Sequence, residues 1–305
     1  MNIIQNRKYY FAFSGLLLIA SLATLLVWNL KLGLDFTGGS LLEVDYNQAR
    51  PTVEAVEQAL DPVVGKTTVS PTGEQGFIIK MKHLDEDAHQ SAINALVGLS
   101  QNKDKLNLNE KRFESIGPTI SSQLKTQAVV SIILVSLAII IYIAFVFRKV
   151  SHPVSSWKYG VVAVLTLMHD ITIPIGLFAV LGRYLGAEVD TLFVTALLTV
   201  MGFSVHDTIV VFDRIRENLV KFSREKFEEV VNISVNQTMI RSINTSLTVL
   251  LVLLAVLLFG GSTIRYFVLT LIAGIVAGTY SSIFIASPLL VVWHKLTISH
   301  PERKL

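Results

Sequence analysis

The stretch TLFVTALLTVMGFSVHDTIVVFDRIREN, residues Thr191 to Asn218, begins as an apolar run and ends in alternating acids and bases. The apolar part is long enough to cross a membrane, yet it contains His206 and Asp207. An ionisable side chain in hydrocarbon is costly, so it is either functional or held by hydrogen bonds to a neighbouring helix. Asp207 is therefore the first candidate functional residue, and hydrogen-bonded packing of a neutral acid is the alternative.

The composition also indicates a membrane protein. The chain has 305 residues, of which 51% are hydrophobic and 16% are charged, and its mean hydropathy is +0.56. These values are too apolar for an ordinary soluble domain. The sequence contains no cysteine, which excludes disulfides, thiolate metal sites and a cysteine nucleophile. We therefore expect a polytopic α-helical membrane protein.

Six segments with few or no charges are long enough to span about 30 Å of hydrocarbon. They are Tyr9–Leu30, Thr126–Phe147, Tyr159–Gly182, Thr191–Phe212, Ser242–Ile264 and Tyr266–Trp293. The first is longer than the apolar core of a signal peptide and has no small-x-small cleavage site before Lys31, so we expect it to be retained. An even number of spans puts both termini on one side of the membrane.

The positions of the basic residues predict which side that is. The N-terminus, residues 148–158, residues 213–241 and the tail after Trp293 hold more than half of the 26 lysines and arginines. The two short loops on the opposite face hold only Arg183 and Arg265. By the positive-inside rule, we expect both termini to be cytoplasmic and the domain after the first span to lie outside, in a periplasm or its equivalent.

The spans divide the chain into four parts: residues 1–30 (N-terminus and first span), 31–125 (a periplasmic α+β domain), 126–295 (the other five spans) and 296–305 (a cytoplasmic tail). Apolar and charged residues alternate in parts of the α+β domain, as in half-buried strands. Strands are predicted at Leu42–Tyr46, Lys66–Ser70, Phe77–Met81 and Leu106–Phe113, and helices after Pro51 and from Asp85 to Ser100. This β-α-β-β-α-β order predicts a small ferredoxin-like sandwich. We expect a binding or mechanical module, with His83 and His89 solvated at its surface.

Depth in the membrane brings Asp207 close to a base. Asp207 lies six residues before Asp213, about 9 Å inside at the helical rise, and Arg241 reaches a similar depth if its helix begins near Val235. The two residues could therefore pair, with a salt bridge that exists only while Asp207 is ionised. Polar residues recur around Arg241 on one helical face, at Gln237, Arg241, Asn244, Thr245 and Thr248. We expect this stripe to face the bundle or a water-filled cleft.

A second acid, Asp170, lies nearer the middle of the bilayer, beside His169 and before Pro174, which frees backbone carbonyls. His169 and His206 fit either a proton relay or hydrogen-bonded packing, and both interpretations stay open. The charged run Asp213–Glu217 is typical of solvated anchors at the membrane interface. In the last span small residues recur every four positions, at Gly274, Gly278, Ser282 and Ala286, which predicts close helix packing.

Four segments of the sequence carry a resemblance to a known family. They are LGLDFTGGSLLEV (Leu32 to Val44), IGPTISSQL (Ile116 to Leu124), MGFSVHDTIVVFDRIREN (Met201 to Asn218) and QTMIRSINTSLTVL (Gln237 to Leu250). Taken in this order, the chain resembles the SecF branch of the bacterial SecD-SecF protein-export family over essentially its whole length. The resemblance implies half of a transporter of the resistance-nodulation-division type, with six helices that pack in pseudo-symmetry against six from SecD.

The resemblance also implies a function, which is the use of the proton-motive force to assist late steps of preprotein export. It implies SecD and the SecYEG channel as partners, YajC and YidC as further partners, and unfolded preprotein as cargo. Its proton path maps onto Asp207 and Arg241. With the polar residues found above, the relay candidates are Asp207, Arg241, Asp170, His206, Asn244 and Thr245. We expect no catalytic residue, cofactor, metal site or nucleic-acid binding.

Two other classes of function are compatible with parts of the sequence. A small-molecule exporter of the same superfamily would use the same helices, but it needs larger external domains to form a substrate pocket. An intramembrane aspartyl protease would need two facing acids, for which Asp170 and Asp207 are candidates. Its GxGD motif is absent, since residues Gly202 to Asp207 read GFSVHD. We expect the chain not to be an enzyme.

Overall fold

The computed structural model describes residues 1–99, 107–146 and 154–299. Ser100, Leu106, Phe147, the start of the basic loop that follows it and the end of the tail lie outside the described residues. The chain forms two compact units. The membrane unit contains the segment up to Lys31 and the chain from Val130 onward, and the α+β unit contains Leu32–Val129.

The helices and strands follow one another in a simple order. They are α1 (Arg7–Trp28), α2 (Leu34–Thr37), β1 (Gly39–Tyr46), α3 (Val53–Val64), β2 (Thr68–Thr72), β3 (Gly76–Met81), α4 (Glu86–Gly98), β4 (Leu108–Ile116), α5 (Pro118–Val146), α6 (Ser156–Leu185), α7 (Thr191–Lys221), α8 (Phe227–Phe259), α9 (Arg265–Ser281) and α10 (Ser287–Ser299). A π-helical segment, Ser282–Ala286, joins α9 to α10.

Six helices in the described residues are long and apolar enough to cross a membrane, which confirms the predicted set of spans. They are α1, α5, α6, α7, α8 and the continuous rod of α9 and α10. Two helices are longer than predicted, because α7 continues to Lys221 and α8 already begins at Phe227. The polar segment between them is therefore mostly helical and leaves only a short turn. Asp190 caps the N-terminus of α7, where its Oδ1 accepts a hydrogen bond from the backbone N–H of Phe193 at 2.8 Å.

The membrane unit has an inner and an outer layer of helices. The most apolar stretches of α6 and α7 are 50% buried and that of α9 and α10 is 61% buried, against 11% or less for α1, α5 and α8. The inner helices approach closely because α9 carries glycines at the contact. A Cβ at Gly274 would overlap Val200 of α7, and one at Gly278 would lie 3.0 Å from the Cβ of Ser204. The predicted small-residue stripe is therefore confirmed as a close-packing face.

The α+β unit contains one antiparallel sheet with the strand order β2-β3-β1-β4. Side chains alternate between the two faces of the sheet along β1 and β3, so Leu42, Val44, Phe77 and Ile79 lie on the same face. They pack there against α3 and α4 and form the core of the unit. Tyr46 belongs to the same core, and its hydroxyl donates to the carbonyl of Leu96 at 3.2 Å. Burial raises the pKa of Tyr46 to about 12.

The paired glycines Gly38 and Gly39 make the entry into β1 possible. Both have positive φ, 69° and 120°, in the region that favours glycine. A Cβ at Gly39 would lie 2.6 Å from the carbonyl oxygen of Met81 in the neighbouring strand. The first strand can therefore approach β3 at this point only where no side chain is present.

The prediction that His89 is solvated is wrong, whereas His83 is exposed as expected. His89 is 5% exposed, and its ring stacks on Phe113 of β4 with centroids 3.7 Å apart. Its Nε2 lies 3.3 Å from Glu110 and its Nδ1 lies 3.6 Å from Glu86. The helical face of α4 that covers the sheet includes this position, so the ring packs like an aromatic core residue.

Candidate functional site

Asp207 lies in the second half of α7, on the side turned toward α8. Its side chain is buried, with 7% exposure. The hydroxyl of Ser242 in α8 donates to Oδ1 of Asp207 at 2.6 Å. The other carboxyl oxygen, Oδ2, is buried without a hydrogen-bond partner among the described residues. The site therefore satisfies only one half of the carboxyl group, and buried polar atoms in that condition are uncommon in folded proteins.

The predicted ion pair between Asp207 and Arg241 is not formed in the structure. Arg241 is exposed, and the described residues contain no ion pair that involves its guanidinium group. The face of α8 that packs into the unit contains Ser234, Thr238, Ser242 and Ser246, which recur every four residues. Arg241 precedes Ser242 by one position and so points about 100° away around the helix.

The predicted polar stripe of α8 does lie on one exposed face, and at its start the amide of Asn218 in α7 donates to Oε1 of Gln237 at 2.9 Å. We call it the polar face of α8, and its members are Gln237, Arg241, Asn244, Thr245 and Thr248, all exposed. His206 on α7 is exposed as well. A polar cleft of about 210 Å³ lies beside Arg241, between α7 and α8. It is lined by Val210, Asp213, Arg214, Glu217, Gln237, Thr238 and Arg241.

Asp170 lies in a different environment, where four helices meet. It is 0% exposed, and His169 contacts its Oδ1 through Nδ1 at 2.8 Å. Two hydroxyls donate to its Oδ2, from Ser204 of α7 at 2.5 Å and from Ser281 of α9 at 2.7 Å. The other ring nitrogen of His169 lies 2.6 Å from the hydroxyl of Ser14 in α1. We call these five residues the Asp170 junction.

Further hydroxyl contacts connect the helices around Asp207. Thr208 of α7 lies 3.1 Å from Ser282, the first residue of the π-helical segment. Ser246 of α8 lies 2.5 Å from Thr279 of α9. Sequence reasoning named Ser282 only as a small packing residue and missed the other three hydroxyls, because single serines and threonines in apolar helices are weak signals of contacts between helices.

The arrangement does not resemble an enzyme active site. Asp170 and Asp207 share no hydrogen bond in the described part of the chain, since each has its own hydroxyl partners. Ser14, His169 and Asp170 follow one another like a hydrolase triad, but Ser14 lies inside α1, where backbone N–H groups are occupied by helical bonds and cannot form an oxyanion hole. Within the described ranges, no group of three acidic or histidine side chains could hold a metal ion.

These features define a multi-pass membrane protein whose α+β unit follows its first span and whose core contains two buried carboxyl groups. Two family models match the chain: "Protein export membrane protein SecD/SecF, C-terminal" over residues 97–296, and "SecD/SecF GG Motif" over residues 30–49. The second contains Gly38 and Gly39. The chain belongs to the SecD/SecF family and, within it, to the SecF protein translocase subunits.

Similar proteins cover almost the whole chain. SecF of Thermobaculum terrenum is 43% identical over 304 residues, with 96% of this chain and 94% of that protein covered. SecF of Anaerolinea thermophila is 40% identical, with the same coverage. The crystal structure of SecDF from Thermus thermophilus has a TM-score of 0.79 and 30% identity and covers 97% of this chain. This chain matches only 39% of that longer SecDF chain.

Proposed function

We propose that this chain works with a SecD-type subunit and couples the proton-motive force to protein export. The observation that carries the proposal is the half-satisfied carboxyl of Asp207, buried between α7 and α8 beside a polar face. A buried acid with an open oxygen can exist as a neutral acid and can ionise when a base approaches. A fully paired carboxyl lacks that freedom.

The proton carrier in this proposal is Asp207, and Arg241 is its counter-charge. In this proposal, the arrangement in which Ser242 binds Asp207 and Arg241 lies beside the polar cleft is assigned to the protonated carrier. When Asp207 ionises, a rotation of α8 by about one residue position, roughly 100°, brings Arg241 to the open Oδ2. Asn244 and Thr245 lie on the same face and exchange contacts with Arg241 as it moves, and His206 lies next to the carrier in sequence.

The driving force is sufficient for such a motion. Moving one charge through 100 mV yields about 2.3 kcal/mol, so a few protons in each cycle can bias a change in helix packing. The conformational change selects between two arrangements of α7 and α8, according to the charge of Asp207. The α+β unit then transmits the change to the cargo.

The proposed topology is that of a bacterial inner-membrane protein, with both termini in the cytoplasm and the α+β unit in the periplasm. The distribution of lysine and arginine supports this orientation. The α+β unit is proposed to be ferredoxin-like, and its β-α-β-β-α-β order and antiparallel β2-β3-β1-β4 sheet support that assignment. It acts by binding and moving, not by chemistry.

The polar face of α8 supports a partner in the membrane. An arginine directed at lipid tails is costly, whereas a second set of helices can cover it and provide acceptors. We propose that a SecD-type subunit occupies this face. The SecYEG channel, YajC and YidC are proposed partners of the assembled complex, and an unfolded preprotein is the proposed cargo.

The test is export in vesicles that contain the SecYEG channel and this chain, with and without a SecD-type partner. The expected result is that an imposed proton gradient stimulates export only when both subunits are present, and that the two subunits co-purify. Equal stimulation without the partner, or a gradient effect that persists when this chain is omitted, would overturn the proposal.

A further inference from the structure

The two buried acids of the membrane unit differ in how completely they are satisfied. Both oxygens of Asp170 have partners, from His169, Ser204 and Ser281, whereas Oδ2 of Asp207 has none among the described residues. Asp170 is also the more deeply buried, at 0% exposure against 7%. A group that changes its charge in each cycle needs room for a different set of partners, and Asp170 has no such room.

The net charge of His169 and Asp170 also indicates that the pair keeps one proton through the cycle. His169 is the titratable side chain that faces Asp170, while α7 and α9 present the hydroxyls of Ser204 and Ser281, and α1 presents Ser14 to the imidazole. The pair is electrically neutral when it holds one proton, either on His169 with Asp170 ionised or on Asp170 with His169 neutral. Adding or removing a proton leaves a net buried charge, which is strongly unfavourable.

We propose that His169 and Asp170 form a proton-retaining pair that positions the carrier Asp207 and does not itself transfer protons across the membrane. This inference rests on the proposed function and changes the role expected for Asp170 within it. Asp170 becomes a positioning residue, which acts through the helices that it holds.

The path from the pair to the carrier is short. Ser204 lies three residues before Asp207 on the same buried face of α7, so its bond to Asp170 fixes the rotation of α7 about its axis. Ser281 fixes α9 immediately before the π-helical segment, whose first residue contacts Thr208, the neighbour of Asp207. The Asp170 junction therefore fixes the position of α7, which contains Asp207, relative to α9, which packs beside it. Irregular segments of this kind are frequent at functional sites.

The proposal predicts opposite results for two substitutions of one residue. In Asp170→Asn the amide oxygen can accept from Ser204 and Ser281, and the amide N–H can donate to His169 in its other tautomer, so the junction remains neutral and intact. In Asp170→Ala these bonds are lost. A proton-carrying residue would be inactivated equally by both changes, because neither side chain can bind and release a proton.

The experiment measures export in vesicles with the full complex, with and without a proton gradient, normalised to folded complex. Asp170→Asn is expected to keep the gradient-stimulated component within about threefold of wild type, and Asp170→Ala to lose about tenfold or more of it, the effect of a lost bond to a charged group. The gradient-independent component per folded complex should stay unchanged in both. A merely structural role would lower the two components in proportion.

Two further variants complete the test. Ser204→Ala should reduce the stimulated component, and Thr172→Val on α6, whose hydroxyl bonds only within its own helix, should not. If Asp170→Asn abolishes stimulation, Asp170 carries protons and the inference is wrong. If Asp170→Ala has no effect, the junction does not position the carrier. Failure of the proposed function gives a different pattern, in which stimulation survives Asp207→Asn. The thermal unfolding midpoint in detergent, lowered by Asp170→Ala and retained by Asp170→Asn, then still tests the junction.

Discussion

The hydroxyl of Ser242 donates a hydrogen bond of 2.6 Å to one oxygen of Asp207, and the second oxygen of that carboxyl has no partner among the described residues. Arg241, the neighbour of Ser242, is exposed and directed elsewhere. The two residues that could satisfy Asp207 therefore lie side by side on α8, one bound and one released. A rotation of α8 by about one residue position exchanges them.

The first prediction concerns the carrier. Asp207→Asn should leave folding and assembly intact, because the amide resembles the protonated acid and can still accept from Ser242. It cannot release a proton, so gradient-stimulated export should fall to the rate without a gradient. Asp213→Asn, a substitution at a half-buried position on the same helix, is the control. Stimulation at the wild-type level in the Asp207→Asn variant would exclude Asp207 as the carrier.

The second prediction concerns Ser242. Removing its hydroxyl in Ser242→Ala leaves the buried carboxyl without this donor, at a cost of about 1–3 kcal/mol to the state seen here. We expect the stimulated component of export to fall about tenfold or more. Ser136→Ala is the control, because in the described part of the chain that hydroxyl donates to the carbonyl of Ile132 in its own helix. Equal rates for the two variants would show that the Ser242 contact is not used.

The third prediction tests whether Asp207 and Arg241 act as a pair. Arg241→Ala should impair stimulated export more than Arg241→Lys, which keeps the charge but loses the planar guanidinium. In a double-mutant cycle with Asp207→Asn, the defects should be non-additive by about 1–3 kcal/mol. The reason is that the asparagine side chain cannot ionise, so Arg241 has no charge to pair with and its loss has no further effect.

Arg216→Ala, which removes a half-buried arginine paired with Asp213, is the matched control for that cycle. It should add its small effect independently of Asp207→Asn. If the Arg241 and Asp207 defects also multiply independently, the two residues act in separate steps.

The fourth prediction concerns the paired glycines. Gly39→Ala forces a side chain into positive φ and toward the carbonyl of Met81, so it should destabilise the α+β unit by about 1–3 kcal/mol. Protease resistance of that unit in denaturant measures the loss. Gly98→Ala, at a helical position with open space around it, should be neutral. Unchanged resistance in Gly39→Ala would mean that the close approach of β1 and β3 is not required.

The fifth prediction concerns pH. Burial raises the pKa of Tyr46 to about 12 from an unfolded value near 10, so folding favours the protonated phenol. The resulting stability is fully present below about pH 10 and is lost as pH rises from 10 through 12. Hydrogen exchange of the α+β unit should show this loss in wild type. The loss should be smaller in Tyr46→Phe, and an identical alkaline profile for the two chains would contradict the assignment.

Much of the fold could be predicted because its signals are local. Hydropathy finds the six spans, and alternation finds β1 and β3, since each depends on side chains within one segment. The close packing at Gly274 and Gly278 could also be predicted, because small residues recur every four positions in that span. The ends of α7 and α8 could not be predicted well, because their polar extensions have no proline or glycine to stop the helix.

The site was harder to predict because it depends on helix rotation. Depth placed Asp207 and Arg241 at the same level, but the face of α8 that packs inward is set by contacts along its whole length, and those select Ser242. Serines in apolar helices are weak sequence signals, so Ser14, Ser204 and Ser281 were missed. His89 was misjudged for the same reason, since a polar residue on α4 reveals its burial only when Phe113 is placed beneath it.

The exposed polar face of α8 affects the stability of the chain in the membrane before it assembles with a partner. The hydroxyls of Thr245 and Thr248 bond within α8, so the costly groups on this face of a newly inserted copy are Arg241 and the amide of Asn244, which destabilise the chain in lipid until a partner covers them. The uncovered chain is thus the less stable species and the one most open to membrane proteases. With the proposed SecD-type subunit on this face, the abundance of this chain should follow that of its partner.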